Sequence, residues 1–440
     1  MLGLESENRI KQMNPWIGDP KKTKFFLDRM LPEQYVPRHI ENTPMTSGKA
    51  MLIVGPRQAG KSTVVWRQLL NITPDILFLN MEDPLLRMAC NQPMDMIEHL
   101  RDHYDFIQAV FIDEAQHLAE AGLFVKGLVD AKLNTKIWVT GSSSFDLMSK
   151  TRESLAGRAI RRKLFPFSLS ELQQYISAPN PVAERQASEN IVAHQLIFGS
   201  YPAVYLCTGN NPKKMLLSDL VEALILRDAS DLFKIKRVDA FRKLLTLLAG
   251  QIGDLLNISE LAAHCNVDVG TINSYIEILE ESHIVKKILP FAGGKRREIT
   301  SAPKVFFVDN GIRNQLLNNF RTTFELRSDK GRLFENWAFS EIYKILPFQG
   351  SIKFWRSKSQ AEVDFVIEHA GRVYGLEVKS TPLKKPKVSR SMWSFIDAYS
   401  PDGLAVLNMN LDRVMDHETG KVDFITPHNL ISWLNRCFLQ

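Results

Sequence analysis

The residues Gly55-Pro56-Arg57-Gln58-Ala59-Gly60-Lys61-Ser62 fit GxxxxGK[ST], the spacing of a loop that cradles phosphates. Its glycines let backbone approach a ligand closely, and the amides of the loop and of the following helix N-terminus point at negative charge. The Lys61 ammonium would reach the β- and γ-phosphates of ATP, and the Ser62 hydroxyl would ligate Mg2+. Thr63, next in the chain, completes the set expected around the nucleotide. A second constellation is Ala109-Val110-Phe111-Ile112-Asp113-Glu114, four apolar residues ending in two acids. Asp113 would hold Mg2+ through water, and Glu114 would orient and deprotonate an attacking water. A third is Ile137-Trp138-Val139-Thr140-Gly141-Ser142, where Thr140 and Ser142 are candidates to sense the γ-phosphate. Arg158, in Leu155-Ala156-Gly157-Arg158, is a candidate arginine finger. Arg152, Arg161 and Arg162 compete with it, and a surface or structural role for Arg158 stands beside the catalytic one.

Near the other end lie four more residues of interest. Asp364 sits in Ala361-Glu362-Val363-Asp364-Phe365-Val366-Ile367, and Glu377 and Lys379 sit in the next strand-like run. The strand period puts Glu377 and Lys379 on one face of a sheet. Two carboxylates and a lysine there could hold Mg2+, polarise a phosphodiester and activate water. This is the D…ExK arrangement of the PD-(D/E)XK nuclease fold, with Glu335 on the preceding helix as its further acid. The competing reading is that Asp364 and Glu377 only form salt bridges with Arg356 and Lys379. Between the two clusters, Ser259 to Glu280 reads as a helix, a turn and a second helix capped by Asp268. Thr271, Asn273 and Ser274 would face a DNA groove, with Lys295, Arg296 and Arg297 at the tip of a hairpin spanning His283 to Thr300. A lid or docking role is the alternative for this piece.

The elements that must position these residues follow from patterning. Continuous apolar runs at Met51–Val54, Ile76–Leu79, Ala109–Ile112 and Ile137–Val139 alternate with helical stretches, and Ile160, Arg162 and Leu164 alternate as a fifth strand. Strands of this kind are buried on both faces, in a parallel sheet covered by helices. The predicted organisation is an N-terminal segment over 1–45, a P-loop ATPase core over 46–167 and a helical lid over 168–238. A winged helix over 239–304 and a PD-(D/E)XK nuclease-like domain over 305–440 follow. The stretch from about 325 reads helix, strand, strand, strand, helix, strand.

These motifs together resemble a bacterial and archaeal family of AAA-type ATPases within the AAA+ superfamily, whose C-terminal domain is of unknown function. The matching pieces are GPRQAGKS, FIDEAQ, VTGSSS, LAGR, FGSYP, KVFFVDNG, GRLFENW, EVDF and EVKS, spanning about 50 to 380. The resemblance implies a P-loop (AAA+/ASCE) parallel sheet, a winged helix-turn-helix and a nuclease-like α/β domain. Arginine fingers in this class usually act in trans, so a homo-oligomer, such as a ring, is expected.

At 440 residues the chain exceeds one ordinary core. A net charge of +6 permits an acidic partner such as DNA without requiring one. Cys90, Cys207, Cys265 and Cys437 are too dispersed for a disulfide framework or a zinc site, which fits a reducing cytoplasm. The apolar stretch Leu244 to Leu256 is short and broken by Gln251, Gly253 and Asp254, so no membrane span is expected. The expected cofactors are ATP and Mg2+. The expected activity is an AAA+ ATPase acting on DNA by remodelling, branched-DNA processing or metal-dependent cleavage. The alternative is an ATP-driven switch in signalling or defence with an inert, docking C-terminal domain.

Overall fold

A computed structural model of the chain describes every residue except 1–2, 20–21, 23–24, 27, 47, 143–154, 226–234, 294–301, 418–419 and 440. It divides into two units, Met1–Pro166 and Phe167–Gln440.

The first unit is built on β1 (Ala50–Val54), β2 (Ile76–Asn80), β3 (Ala109–Asp113), β4 (Lys136–Gly141) and β5 (Ala159–Lys163). All neighbours are parallel, in the order β2-β3-β4-β1-β5. β1 and β3 are buried along their whole length, as strands covered on both faces must be. Helix α1 (Leu4–Met13) precedes the sheet. Beyond it, Asn14 brackets Phe78 by accepting its N–H at 2.6 Å and donating to its carbonyl at 3.0 Å. The buried Trp16 indole donates to the Ile76 carbonyl at 2.9 Å, so the N-terminal segment is fastened along β2. Helices α2 (Lys61–Leu70), α3 (Pro84–Ala89), α4 (Pro93–His103) and α5 (Ala121–Asp130) make the crossovers. The sheet order puts β4 between β1 and β3, so Thr140 emerges between the phosphate loop and the acidic pair.

The second unit opens with helices α6 (Leu169–Tyr175), α7 (Pro181–Phe198), α8 (Pro202–Leu206), α9 (Asn210–Ala223) and α10 (Val238–Gly250). Next come α11 (Ile258–Cys265) and α12 (Val269–Glu281), capped by Asn257 and Asp268 through side-chain bonds to Glu260 N–H and Thr271 N–H. Then follow β6 (Val285–Pro290), β7 (Lys304–Phe307), α13 (Asn310–Leu316), α14 (Lys330–Ile345), β8 (Ser351–Arg356), β9 (Glu362–His369), β10 (Arg372–Lys379), α15 (Arg390–Tyr399) and β11 (Gly403–Asn408). A hairpin of β12 (Arg413–His417) and β13 (Gly420–Ile425) and a last helix, α16 (Pro427–Leu439), were not anticipated.

One mixed sheet of eight strands runs β12-β13-β11-β10-β9-β8-β6-β7. The described partner of β6 is β7, with Val285 opposite Phe307, rather than a strand ending by Thr300. The same β6 pairs with β8 through Leu289 and Lys353. The hairpin after α12 is therefore the edge of the C-terminal sheet, and the expected boundary at 304/305 falls inside β7. The whole is α/β, with a parallel sheet in one unit and a mixed sheet in the other.

Candidate functional sites

The phosphate loop begins where β1 ends. A side chain at Gly55 would place its Cβ 2.0 Å from the Leu164 carbonyl oxygen, so only glycine allows β5 to close against the loop. Gly60 caps α2 at φ +93°, a left-handed conformation that favours glycine. Gln58, at the tip, is also left-handed and exposed. Pro56 and Ala59 are buried, while Thr63 lies in the first turn of α2. From outside the motif, the buried Arg38 donates to the Ala59 carbonyl at 2.9 Å and the Phe165 carbonyl at 2.5 Å. It braces both sides of the loop. Lys61 is 4% exposed and its ammonium donates to the carbonyls of Gly55 (3.2 Å) and Pro56 (3.1 Å). Its charge is thereby held across the loop it would share with a triphosphate. Arg57 lies 3.9 Å from Glu82.

Asp113 joins the loop to the neighbouring strands. Its carboxylate accepts from the Ser62 hydroxyl at 2.8 and 3.0 Å and from the Thr140 hydroxyl. Burial pushes its pKa up to about 6, with the charge of Glu114 adding and the two hydroxyls and Lys61 opposing. A buried carboxylate this costly to ionise, touching a hydroxyl ligand, is a site a cation would stabilise, so the residues fit Mg2+. Glu114 holds its backbone at φ +55°, rare for a non-glycine residue, and its N–H donates to Thr140 Oγ1 at 3.2 Å. Burial raises the pKa of Glu114, but the Lys61 charge and a hydrogen bond from the Gln116 amide outweigh it. The carboxyl stays below its usual range and is ionised at neutral pH. Gln116 Oε1 in turn accepts from the Ser142 N–H at 3.0 Å. The structure thus gathers Lys61, Ser62, Asp113, Glu114, Thr140 and Ser142.

Arg158 is not gathered with them. It precedes β5, whose Ala159 pairs with Ala50 at the start of β1, whereas Lys163 pairs with Val54 beside the loop. It forms an ion pair with Asp130 at 2.7 Å. Arg162 donates to Thr43 at 3.3 Å, and Arg152 lies outside the described residues.

In the second unit, Glu335 (α14), Asp364 (β9), Glu377 and Lys379 (β10) fall in one neighbourhood, each carboxylate already engaged. Asp364 accepts the Val378 N–H at 2.7 Å. Glu377 takes a 2.8 Å hydrogen bond from Ser389 and a 2.5 Å ion pair from Lys379. Glu335 lies 3.6 Å from the ammonium of Lys304, which also pairs with Glu362. Burial, reinforced by like charges, lifts both Glu335 and Asp364 above the usual carboxylate range, with Lys304 opposing. Among the described residues no group of three or more His, Cys, Asp or Glu is arranged to hold a metal ion. The carboxylates of the expected pair, Asp364 and Glu377, are each met by donors of this chain.

At the start of α12, the Thr271 N–H (2.8 Å) and hydroxyl (2.5 Å) both donate to Asp268. Asn273 and Ser274 are exposed on α12, and Lys295, Arg296 and Arg297 lie outside the described residues. No described helix is long and apolar enough to cross a membrane.

Sequence reasoning gave no role to Arg38, Gln116, Lys304, Glu362 or Ser389. Gln116 stood within the quoted FIDEAQ, two residues from Glu114, and its spacing could have been used. Lys304 and Glu362 likewise stood within the quoted KVFFVDNG and EVDF, though nothing there shows that they meet, and nothing local marks Arg38.

Residues 47–173 match the AAA domain family. Residues 189–323 match a domain of unknown function (DUF8612) and residues 330–428 another (DUF4143). The chain is 26% identical over 346 residues to the uncharacterized protein Rv2008c of Mycobacterium tuberculosis, covering 78% of this chain and 73% of that one. It is 23% identical over 331 residues to the uncharacterized protein MJ1544 of Methanocaldococcus jannaschii, covering 72% of each. Among solved structures it is similar to the Aeropyrum pernix Orc1 protein in complex with DNA, with 11% identity and a TM-score of 0.28 over 68% of this chain and 92% of that one. It is also similar to Cdc6p from Pyrobaculum aerophilum, with 15% identity and a TM-score of 0.25 over 67% and 99%. At such scores the likeness decides nothing about ligand or partner.

Proposed function

We propose that the first unit binds ATP with Mg2+ and hydrolyses it, and that the chain uses this turnover to act on DNA. The observation that carries the reading is the Ser62–Asp113–Thr140 hydrogen-bonded set, which ties the loop helix, β3 and β4 to one buried carboxylate. Lys61 exchanges its loop carbonyls for the β- and γ-phosphate oxygens, and the amides from Gly55 to Thr63 surround the phosphate chain. Ser62 and Asp113 would hold Mg2+, which neutralises charge on the transferring phosphate when bound. Glu114, ionised and held by Gln116, takes the proton of the attacking water. Thr140 fixes both acids, and Ser142 reports on Glu114 through Gln116. Arg158 serves a neighbouring subunit, since its own loop lies at the far end of β1.

DNA is the partner that suits the net charge of +6 and the exposed face of α12 with Asn273 and Ser274. Lys384, Lys385, Lys387 and Arg390 add exposed positive charge between β10 and α15. A second reading, an ATP-driven switch whose C-terminal domain docks rather than cuts, is favoured by the engagement of Glu335, Glu362 and Glu377 in ion pairs.

The test is the steady-state ATPase rate of the full chain, alone and with single-stranded, duplex and four-way DNA. Stimulation by DNA, lost by 10²–10⁴-fold in Glu114→Gln with ATP binding retained, is expected of a DNA-dependent ATPase. A slow rate indifferent to all three DNAs moves the reading to the switch. A Glu114→Gln variant as fast as the parent removes Glu114 from the chemistry.

A further inference from the structure

Lys304 is the first residue of β7 and reaches the acids from the far edge of the sheet. The strand order β9-β8-β6-β7 puts two strands between it and Glu362 and Asp364, yet its ammonium pairs with Glu362. It is 4% exposed, an uncommon state for a lysine unless it is paired. Its ammonium pairs with Glu362 and lies 3.6 Å from Glu335 Oε1, an oxygen that is buried and takes no hydrogen bond. The Phe354 ring, 5.2 Å from the same ammonium, adds a cation–π contact. Gly253 turns at φ +76°, where a Cβ would stand 3.3 Å from Glu335 Oε2. The Glu335 carboxylate thus lies against the Gly253 backbone as well as near the Lys304 ammonium.

Charge points the same way. Glu335, Glu362, Asp364 and Glu377 meet three cations, Lys304, Arg356 and Lys379, through ion pairs and direct electrostatic contact. A divalent ion added to that set would turn its formal charge from −1 to +1 in a partly buried place, which is unfavourable. A cation is needed here, and the chain supplies one.

We propose that Lys304 is the resident cation of the C-terminal acidic centre, holding Glu335 and Glu362 where a divalent metal would otherwise sit. The centre is consequently a metal-independent one, and β7 is pinned to β9 and α14 through it. The inference rests on the second reading above, and its test involves no nucleotide, so it can fail while the ATPase reading stands, and the reverse.

The experiment is a Mn2+ titration of the full chain without nucleotide, followed by isothermal calorimetry and by thermal unfolding. Asp113→Asn is present throughout to silence the phosphate-loop site. The parent is expected to show no binding that depends on Asp364 and no Mn2+-dependent rise in Tm. Lys304→Gln is expected to unfold several degrees lower. Mn2+ should restore part of that loss, and Asp364→Asn should abolish the restoration. If Lys304→Gln fails to fold, the parent titration decides alone, because Mn2+ binding lost on Asp364→Asn overturns the proposal. So does a Lys304→Gln protein that is as stable as its parent and blind to Mn2+.

Discussion

At the residue scale, Asp113 is the most exposed to test because its environment opposes its own charge. Its pKa stands above 3.8, at about 6, so the folded chain binds a proton more tightly than the unfolded chain does. Stability therefore falls as pH rises from about 4 to about 6, and above that the whole cost, ~3 kcal/mol on the scale of 1.36 kcal/mol per tenfold change, is present. Replacing Asp113 by Asn removes the charge and keeps a group able to meet the Ser62 and Thr140 hydroxyls. Without nucleotide, Asp113→Asn should be more stable than the parent at pH 7.5 by up to about 3 kcal/mol, with the advantage gone below pH 4. Urea unfolding at the two pH values measures it. The same variant should lose ATP hydrolysis. A variant less stable than the parent at pH 7.5 would mean that the hydroxyl bonds, not desolvation, dominate the site.

Among the elements, the join between α7 and α8 repays the same treatment. The FGSYP run places Gly199 at φ +73°, and a Cβ there would fall 1.9 Å from Asp309 Oδ1. Asp309 is 3% exposed and accepts the N–H groups of Ser200 (2.6 Å), Gly311 (2.8 Å) and Ile312 (3.2 Å), capping α13 while holding the end of α7. Two motifs met as separate words, FGSYP and VDNG, are one structural lock. Gly199→Ala must either strain the left-handed turn or push Asp309 off its donors. A loss of about 3 kcal/mol or more is expected in equilibrium unfolding, whereas Gly209→Ala, whose Cβ would meet only Pro212 at 3.5 Å, should cost less. Equal costs would show that strain alone, and not the lock, sets the loss. The phosphate loop, β3 and Thr140 were legible in the sequence because local spacing encodes them: a strand ends where the chemistry starts. The edge of the C-terminal sheet was not. Lys304 stands 31 residues before Glu335, and only a sheet order that runs β8-β6-β7 brings it there. Its strand, KVFF, is short and apolar, and says nothing of its partner.

For the whole molecule the question is where the arginine of the ATP site comes from. The parallel register fixes the answer for its own chain: Arg158 lies at the opposite end of β5 from Lys163 and the loop, and it is occupied by Asp130. If Arg158 reaches a γ-phosphate, that phosphate belongs to another subunit, and a turn at the sheet's far end is suitably placed to supply it. Arg158→Ala and Glu114→Gln proteins should then each be inactive for different reasons, the first lacking a finger for its neighbour and the second lacking its base. Mixed in equal amounts and allowed to exchange subunits, they regain activity. A site is competent only when an Arg158→Ala subunit is served by a Glu114→Gln neighbour, so random assembly yields about a quarter of the parental rate. A structural role through Asp130 predicts no such recovery, and predicts that Asp130→Ala is as damaging as Arg158→Ala. An Arg158→Ala protein that hydrolyses ATP at the parental rate would take the finger away from this residue and leave Arg161 or Arg162 to be tried in the same mixture.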